Sequence, residues 1–448
     1  MPTCSEPMPS LRDLAAATSA NIVYRGEAKS HAAKRVQAGK GIASIVENGM
    51  CVGCGLCESV AGRDSLQMTM GSNGFLRPVV AGHELAAKVE DEILTICPGL
   101  RQRRDDDEAR ADPVWGVRRG TYVSEVVDRR MSFEGASGGA ITAITTRLIE
   151  ADEVKSVLHV MADPERPMRS VACVSQSRED IRRAAGSRYG PVAPLTRLHE
   201  VLDRGEPFAF VGKPCDVAGV RNMAKRDARI DKLMRAAISF PCGGLPSHSA
   251  SVRMAARYGF AEDDISLMRH RGHGCPGPTR IEASDGRAHE QDFDDTWFKE
   301  FGPDVQFRCK ICPDSMGEQA DIVCGDAWDV DGKRDNVNLM IARTKAGAKL
   351  IDSLAQAGVL KLKPLDDGAL DRMQPHHRAR KIAVAARLLG LLMAGQMIPS
   401  FRNMGLIRSA IHGWRDALAN MLGARTRAKA VGNRESAPRH IEQGSSTS

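Results

Sequence analysis

Hydrophobic and polar positions change their period along the chain. Leu66-Gln67-Met68-Thr69-Met70 alternates like a strand, and Gly71-Ser72-Asn73-Gly74 reads as the turn before Phe75. From Thr121 onward, short β-rich runs alternate with helical stretches. Tyr122 to Val127, Val154 to Val160 and Val171 to Val174 read as strands, with helices over Ser137 to Glu150 and near Glu179 to Ala185. The alternation continues through Phe208 to Val211, a helix from Asp216 to Lys225, Ala236 to Phe240, and Val337 to Thr344 followed by a helix from Ala346 to Ala357. This order predicts an α/β class (α+β overall), with a mixed central sheet layered with helices. In the last seventy residues Ile407, Ile411, Trp414, Leu418 and Leu422 fall on one helical face, flanked by Arg408 and Arg415. That face suits a helix packed on its own domain; peripheral membrane contact or partner docking is the alternative.

These patterns divide the chain into a leader over 1–45, a small unit over 46–112, a central α/β domain over 113–375, and a basic helical tail over 376–448 with a disordered end. The run from Arg101 to Asp112 is almost entirely charged and precedes Pro113, so it reads as a solvated linker.

Composition narrows the function. A chain of 448 residues with 42% hydrophobic positions can bury two or three cores. Sixty-three basic residues against 56 acidic ones make a mixed surface, and aromatics at 4% leave few stacking platforms, which argues against nucleic-acid binding. No apolar run reaches bilayer-spanning length, and the first ten residues carry no apolar export core, so a cytoplasmic location is expected. Twelve cysteines in such a chain read as metal or redox ligands rather than disulfides.

Cys51-Val52-Gly53-Cys54-Gly55-Leu56-Cys57 places three thiols at two-residue gaps, and Cys97-Pro98 supplies a fourth. This C-x2-C-x2-C spacing with a distant cysteine is the ligand pattern of a 4Fe-4S cluster in a ferredoxin-like unit. A zinc knuckle is the competing reading, although zinc sites usually pair two C-x2-C hooks. A second set is looser: Cys309-Lys310-Ile311-Cys312 is a hook, and Cys215 and Cys242 each end a predicted strand. If those strands run parallel in one sheet, their ends lie along one edge and the four thiols meet there as a second cluster. Buried apolar cysteines, with the hook on zinc or nothing, are the alternative. Cys275 is a reserve ligand, while Cys4, Cys173 and Cys324 read as ordinary thiols.

Glycine-bearing junctions offer anion sites. Gly135-Ala136-Ser137-Gly138-Gly139-Ala140 opens an apolar helix, where backbone N–H groups can approach a phosphate; a plain turn is the other reading. Lys213 in Val211-Gly212-Lys213-Pro214-Cys215-Asp216 suits a phosphate or ribityl group, or simply solvent. Gly186-Ser187-Arg188-Tyr189 pairs one cation with one ring, an ordinary surface turn being the alternative. The match Gly272-His273-Gly274-Cys275-Pro276-Gly277 precedes Pro278 rather than a helix, so it is rejected as a dinucleotide fingerprint, and its basic loop suits an anion or solvent equally. Asp321, Asp326 and His273 read as structural polar residues, and no acid-base residue stands out.

Taken together and in order, these motifs resemble the coenzyme F420 hydrogenase/dehydrogenase beta-subunit family, including its 7-hydroxymethyl chlorophyll a reductase-like members. The resemblance runs from about residue 45 to 355 and includes Cys309 to Cys312 followed by Ala320-Asp321-Ile322 and Gly325-Asp326. It implies a flavin and iron-sulfur protein in which FAD lies at Ser137, Gly138, Gly139, Arg188, Tyr189 and Lys213. It places clusters at Cys51, Cys54, Cys57 and Cys97, and at Cys215, Cys242, Cys309 and Cys312. The implied function is an oxidoreductase exchanging electrons between a one-electron carrier such as ferredoxin and a small-molecule substrate; an electron-transfer subunit of a larger complex is the alternative. The same scaffold serves deazaflavin oxidation, chlorophyll reduction and electron relay, so the substrate stays open.

Overall fold

The structure, a computed structural model, describes residues 41–81, 84–105, 111–328 and 336–431. Nearly all of the expected leader, with Cys4, and the end of the tail lie outside them. Gly39–Ser448 forms one compact unit.

The expected hairpin forms from β1 (Leu66–Met70) and β2 (Leu76–Val80), antiparallel with Leu66 opposite Val80. Gly74 turns it at φ +75, and a Cβ there would lie 2.6 Å from the Ser249 hydroxyl, so only glycine closes this turn. β3 (Arg101–Arg103) follows. The central sheet then takes β4 (Gly120–Val126), β5 (Ser156–Ala162), β6 (Ser170–Ser175), β7 (Phe208–Val211) and β8 (Met234–Ser239). A satellite antiparallel sheet of β9 (Ile265–Arg269), β10 (Thr279–Ala283) and β11 (Ala288–Gln291) interrupts it. The central sheet resumes with β12 (Ile322–Asp326), β13 (Asn338–Ala342) and β14 (Leu360–Pro364), before the short β15 (Ser400–Arg402).

The eight central strands lie in the order β14-β4-β13-β12-β8-β7-β5-β6. β12, β8, β7 and β5 run parallel, and antiparallel strands flank them, which makes the sheet mixed as expected. The parallel strands are continuous apolar runs because helices cover both faces. Alternate residues divide between the two layers: Leu158, Phe208, Phe210, Ala237 and Val323 enter one core, whereas Val157, Ala209, Ala236, Ile238 and Ile322 enter the other. The first core also takes Val52, Leu56 and Ile96, so the cysteine-rich unit is packed directly on the sheet. β7, β8 and β12 end along one edge, carrying Gly212-Lys213-Pro214-Cys215, Pro241-Cys242 and Asp326 to the same side.

The charged run expected to be a solvated linker is, in its described part, built into the fold. β3 pairs in parallel with β15, and Gln102 and Arg104 are buried. Arg104 Nη1 donates to Glu318 Oε2 at 2.6 Å, and the Lys381 ammonium pairs with the other oxygen of that carboxylate. Within this run the Arg104 charge is therefore neutralised inside the protein, while Arg101, Arg103 and Asp105 stay exposed, which composition alone does not reveal.

The tail forms helices over Pro375–Met393 and Trp414–Val431 that pack on each other. Gly390 makes this approach possible, since a Cβ there would lie 2.2 Å from the Met421 carbonyl oxygen. The buried contacts of the last helix come from Ala424 and Ala428, whereas the Ile407 to Leu422 row faces outward. This corrects the expectation that the row packs on its own domain: small residues allow closer backbone approach than the aliphatic row.

Removing one member of a buried ion pair leaves an uncompensated charge that costs about 3–5 kcal/mol. Lys381→Met should therefore destabilise the protein by that amount, read as a lowered midpoint in denaturant unfolding with an unchanged slope. A change under 1 kcal/mol would show that the network is not stabilising.

Candidate functional site

The first recess is built by a loop, a short helix and the end of a longer helix. Gly53 and Gly55 take left-handed conformations, at φ +73 and +83, and Gly55 starts the Leu56–Ala61 helix. A Cβ on Gly55 would lie 2.5 Å from Thr196 Cγ2, so glycine is required by both backbone and packing. Cys97 follows the Ala87–Ile96 helix. Cys51, Cys54, Cys57 and Cys97 together line a recess of about 390 Å³, otherwise walled by apolar groups including Val52, Ile93 and Pro98.

Burial holds the Cys54 and Cys57 thiols well above their ordinary range, and neighbouring thiols push them further in the same direction. Cys97 is pushed up to about 11 by burial and by Cys51, with the Arg308 guanidinium opposing. Four thiolates in so dry a place repel one another, and a multivalent cationic group is what makes their ionised form affordable.

The second recess brings the looser cysteine set together. Cys215 stands at the start of the Pro214–Ala224 helix, Cys242 follows β8, and the Cys309–Cys312 hook closes the space; all four line a recess of about 400 Å³. Cys275 is not in its wall. Arg380 ties the pieces, donating to the carbonyls of Cys242 at 3.0 Å, Gly243 at 2.8 Å and Cys309 at 2.8 Å. The Leu245 N–H donates to Cys309 Sγ at 3.4 Å. Cys242 is pushed up to about 12 by burial and by Cys309, with Arg380 opposing.

Val52 lines both recesses. Gln306 donates to the Val52 carbonyl at 3.3 Å, and the fully buried Arg308, in the wall of the second recess, donates to the Gly99 carbonyl at 2.8 Å beside the first. The two thiol sets are thus neighbours across one residue and one guanidinium. Among the described residues no three His, Cys, Asp or Glu side chains could grip a single metal ion. Tetrahedral zinc with Zn–S near 2.3 Å would draw thiols to within about 3.8 Å of one another, whereas these sets surround a space. The donor chemistry, four thiols gathered around one space in each recess, fits a polynuclear iron-sulfur group.

The residues expected around FAD are distributed over three places. Ser137, Gly138 and Gly139 form a left-handed turn before the Ala140–Glu150 helix. Ser137 Oγ donates to Asp326 Oδ1 at 2.7 Å, and Arg271 grips the same carboxylate through both terminal nitrogens, at 3.0 and 2.7 Å. Tyr189 reaches this cluster: burial opposes the Arg271 charge, but Asp326 and Tyr189 outweigh it and hold the guanidinium above its ordinary value. Arg188 lies elsewhere, donating to Ser170 Oγ and to the carbonyls of Met268, Pro167 and Arg169. Lys213 stands in the wall of the second thiol recess, its ammonium 2.7 Å from Asp216.

Sequence reasoning missed Arg271 as the partner of Asp326. The loop around it read as anion-binding or solvated, yet His270 and Arg271 are buried, and Arg271 stacks 4.5 Å from the Phe293 ring centroid. Arg308, Gln306 and Arg380 carried no recognisable spacing. Cys173 and Cys324 are buried thiols outside both recesses, each pushed up to about 12 by burial.

Two four-thiol recesses stand beside a mixed α/β sheet. The chain belongs to the coenzyme F420 hydrogenase/dehydrogenase beta-subunit family: residues 121–199 match its N-terminal part and 205–368 its C-terminal part, more than half of the chain together. This places it among oxidoreductase and electron-transfer proteins. Relatives include the coenzyme F420 hydrogenase subunit beta of Methanococcus voltae, 26% identical over 60% of this chain and 95% of that protein. The coenzyme F420-dependent sulfite reductase of Methanocaldococcus jannaschii is 23% identical over 68% of this chain, but the match spans only 46% of that longer protein. A chain of the F420-reducing [NiFe] hydrogenase complex from Methanosarcina barkeri shares the fold, with a TM-score of 0.50 at 18% identity over 60% of this chain and 91% of that one. Cys215, Cys242, Cys309 and Cys312 lie within the matched stretches, and the first thiol set precedes them. Among the described residues no helix is long and apolar enough to cross a membrane.

Gly55→Val adds left-handed strain of about 1–2 kcal/mol to a side-chain clash. The variant should lose the iron of the first recess while retaining that of the second, read as iron per chain after anaerobic purification. Unchanged iron would show that the loop conformation does not matter for binding.

Proposed function

We propose that the chain is an electron-transfer subunit of a coenzyme F420 hydrogenase/dehydrogenase-type oxidoreductase, with a 4Fe-4S cluster held in each thiol recess. The observation that carries this reading is the pair of four-thiol recesses sharing Val52. Such clusters, when bound, pass one electron at a time.

The chain's own residues supply the rest. Cys51, Cys54, Cys57 and Cys97 would hold one cluster, and Cys215, Cys242, Cys309 and Cys312 the other. Arg308 and Arg380 put positive charge beside the thiolates, which favours the more negative, reduced form of a bound group, while the Lys213 charge is met by Asp216. Apolar groups including Val52, Ile93 and Pro98 wall the first site, whereas Arg308, Arg380 and Lys213 stand in the wall of the second. The beta-subunit relative supports a relay within a larger assembly over a self-contained reductase fed by ferredoxin and acting on its own small substrate. Partner subunits are then the electron donor or acceptor.

FAD lacks comparable support from the geometry. Ser137, Arg188 and Lys213 are each engaged within the chain, and Cβ atoms on Gly138 and Gly139 would lie 2.8 Å from the Asn336 carbonyl oxygen and 2.3 Å from that of Met131, so these glycines serve their own turn. FAD at Ser137, Gly138, Gly139, Arg188, Tyr189 and Lys213 therefore stays outside this reading.

Serine variants test the two cluster sites separately. The parent chain, purified without oxygen, should carry about eight irons, and Cys54→Ser and Cys242→Ser should each bring this to about four. Zinc in place of iron, or one variant removing all iron, would contradict the assignment.

A further inference from the structure

Among the described residues the tail presents a large apolar face that nothing covers. Leu406–Ala410, a short turn and Trp414–Val431 form a helical run about 40 Å long. One row along it is open to solvent: Ile407 is 82% exposed, Ile411 67%, Trp414 70%, Leu418 61% and Leu422 43%. Spacings of four, three, four and four residues keep these side chains on one face. Single exposed aliphatic residues need no explanation, but five in a row do.

The surroundings of this row are positively charged. Ser400 to Val431 contains six Lys or Arg residues and one carboxylate, Asp416, in a chain whose charges otherwise nearly balance. Arg402, Arg408, Arg415, Arg427 and Lys429 are exposed, and Arg415 lies 5.5 Å from the Trp414 ring centroid at the edge of the row. On the helical period, Arg408 and Arg415 flank the apolar row and Lys429 continues its line beyond Leu422. The buried side of the run uses Ser409, Ala424 and Ala428, so the apolar face is not required for internal packing.

We propose that this face rests on an anionic lipid surface, with Ile407, Ile411, Trp414, Leu418 and Leu422 entering the headgroup boundary and the flanking cations meeting lipid phosphates. An aliphatic stripe, an interfacial tryptophan and a basic rim together are the physical requirements for a helix lying in that plane. A second copy is a poorer occupant, because a two-fold interface would set the same cations against one another. The face also lies beyond residue 368, outside the stretches matched by the family, so it is not part of the matched family core.

The test is sedimentation of the full chain with vesicles of phosphatidylcholine alone and of phosphatidylcholine mixed with phosphatidylglycerol. The chain should pellet with the mixed vesicles and remain in the supernatant with the neutral ones. The double substitution Ile411→Asp with Leu418→Asp should lower partitioning at least tenfold. Arg415→Gln and Lys429→Gln, which leave the apolar row intact and guard against a folding artefact, should each lower it about fivefold. A chain that stays in the supernatant with both vesicles, or pellets equally with both, overturns the proposal. So does a dimer or partner complex that the aspartate substitutions dissociate while vesicle binding is absent.

Discussion

Mutual repulsion among buried thiolates is the constraint on which the rest of the structure depends. Each recess gathers four cysteines, and burial alone already disfavours their ionised form. The protein answers partly with guanidinium and ammonium groups, Arg308 between the two sites and Arg380 and Lys213 at the second. These single charges do not neutralise four thiolates, which is why the proposed function places a cationic polynuclear group in each recess. Seen this way, the glycines of the first loop and the parallel strand ends of the second are two solutions to one problem: how to aim four sulfurs inward.

The same constraint is met by how the cysteine-rich unit and the central sheet share one core. Val52, Leu56 and Ile96 share a core with the central sheet, so the cysteine-rich unit does not swing on a linker. Arg104, Glu318 and Lys381 clamp the segment after Cys97, the region following the Cys309 hook and the first tail helix into one buried network. Arg380, from that same helix, fixes the backbone at Cys242 and Cys309. Both thiol sets are therefore held by elements far apart in sequence, which keeps their separation constant.

How much of this was legible in the sequence depended on how local each feature is. The Cys51 to Cys57 spacing is a local loop, and it could be read directly. The meeting of Cys215, Cys242 and the hook needed the strands to be parallel, an inference available from the strand-helix alternation and met by the β7-β8-β12 pairing. The Arg104 network was hidden because its members are separated by 214 and 63 positions, and a charged run looks solvated when its partners are unseen. The pairing of Arg271 with Asp326, 55 positions apart, was missed for the same reason. The tail row was legible as a helix face but not as an exposed one: the apolar period is the same in both cases, and the choice was made by Gly390, Ala424 and Ala428, which admit a closer backbone contact.

The most direct test of the central claim, two iron-sulfur groups separated by one shared wall, is electron paramagnetic resonance of the anaerobically reduced, full-length protein. Neighbouring reduced clusters should give a spectrum broadened by spin-spin interaction, which collapses to a simple isolated signal when either thiol set is disabled. An isolated signal from the unmodified chain, accounting for one spin per molecule, would contradict the account.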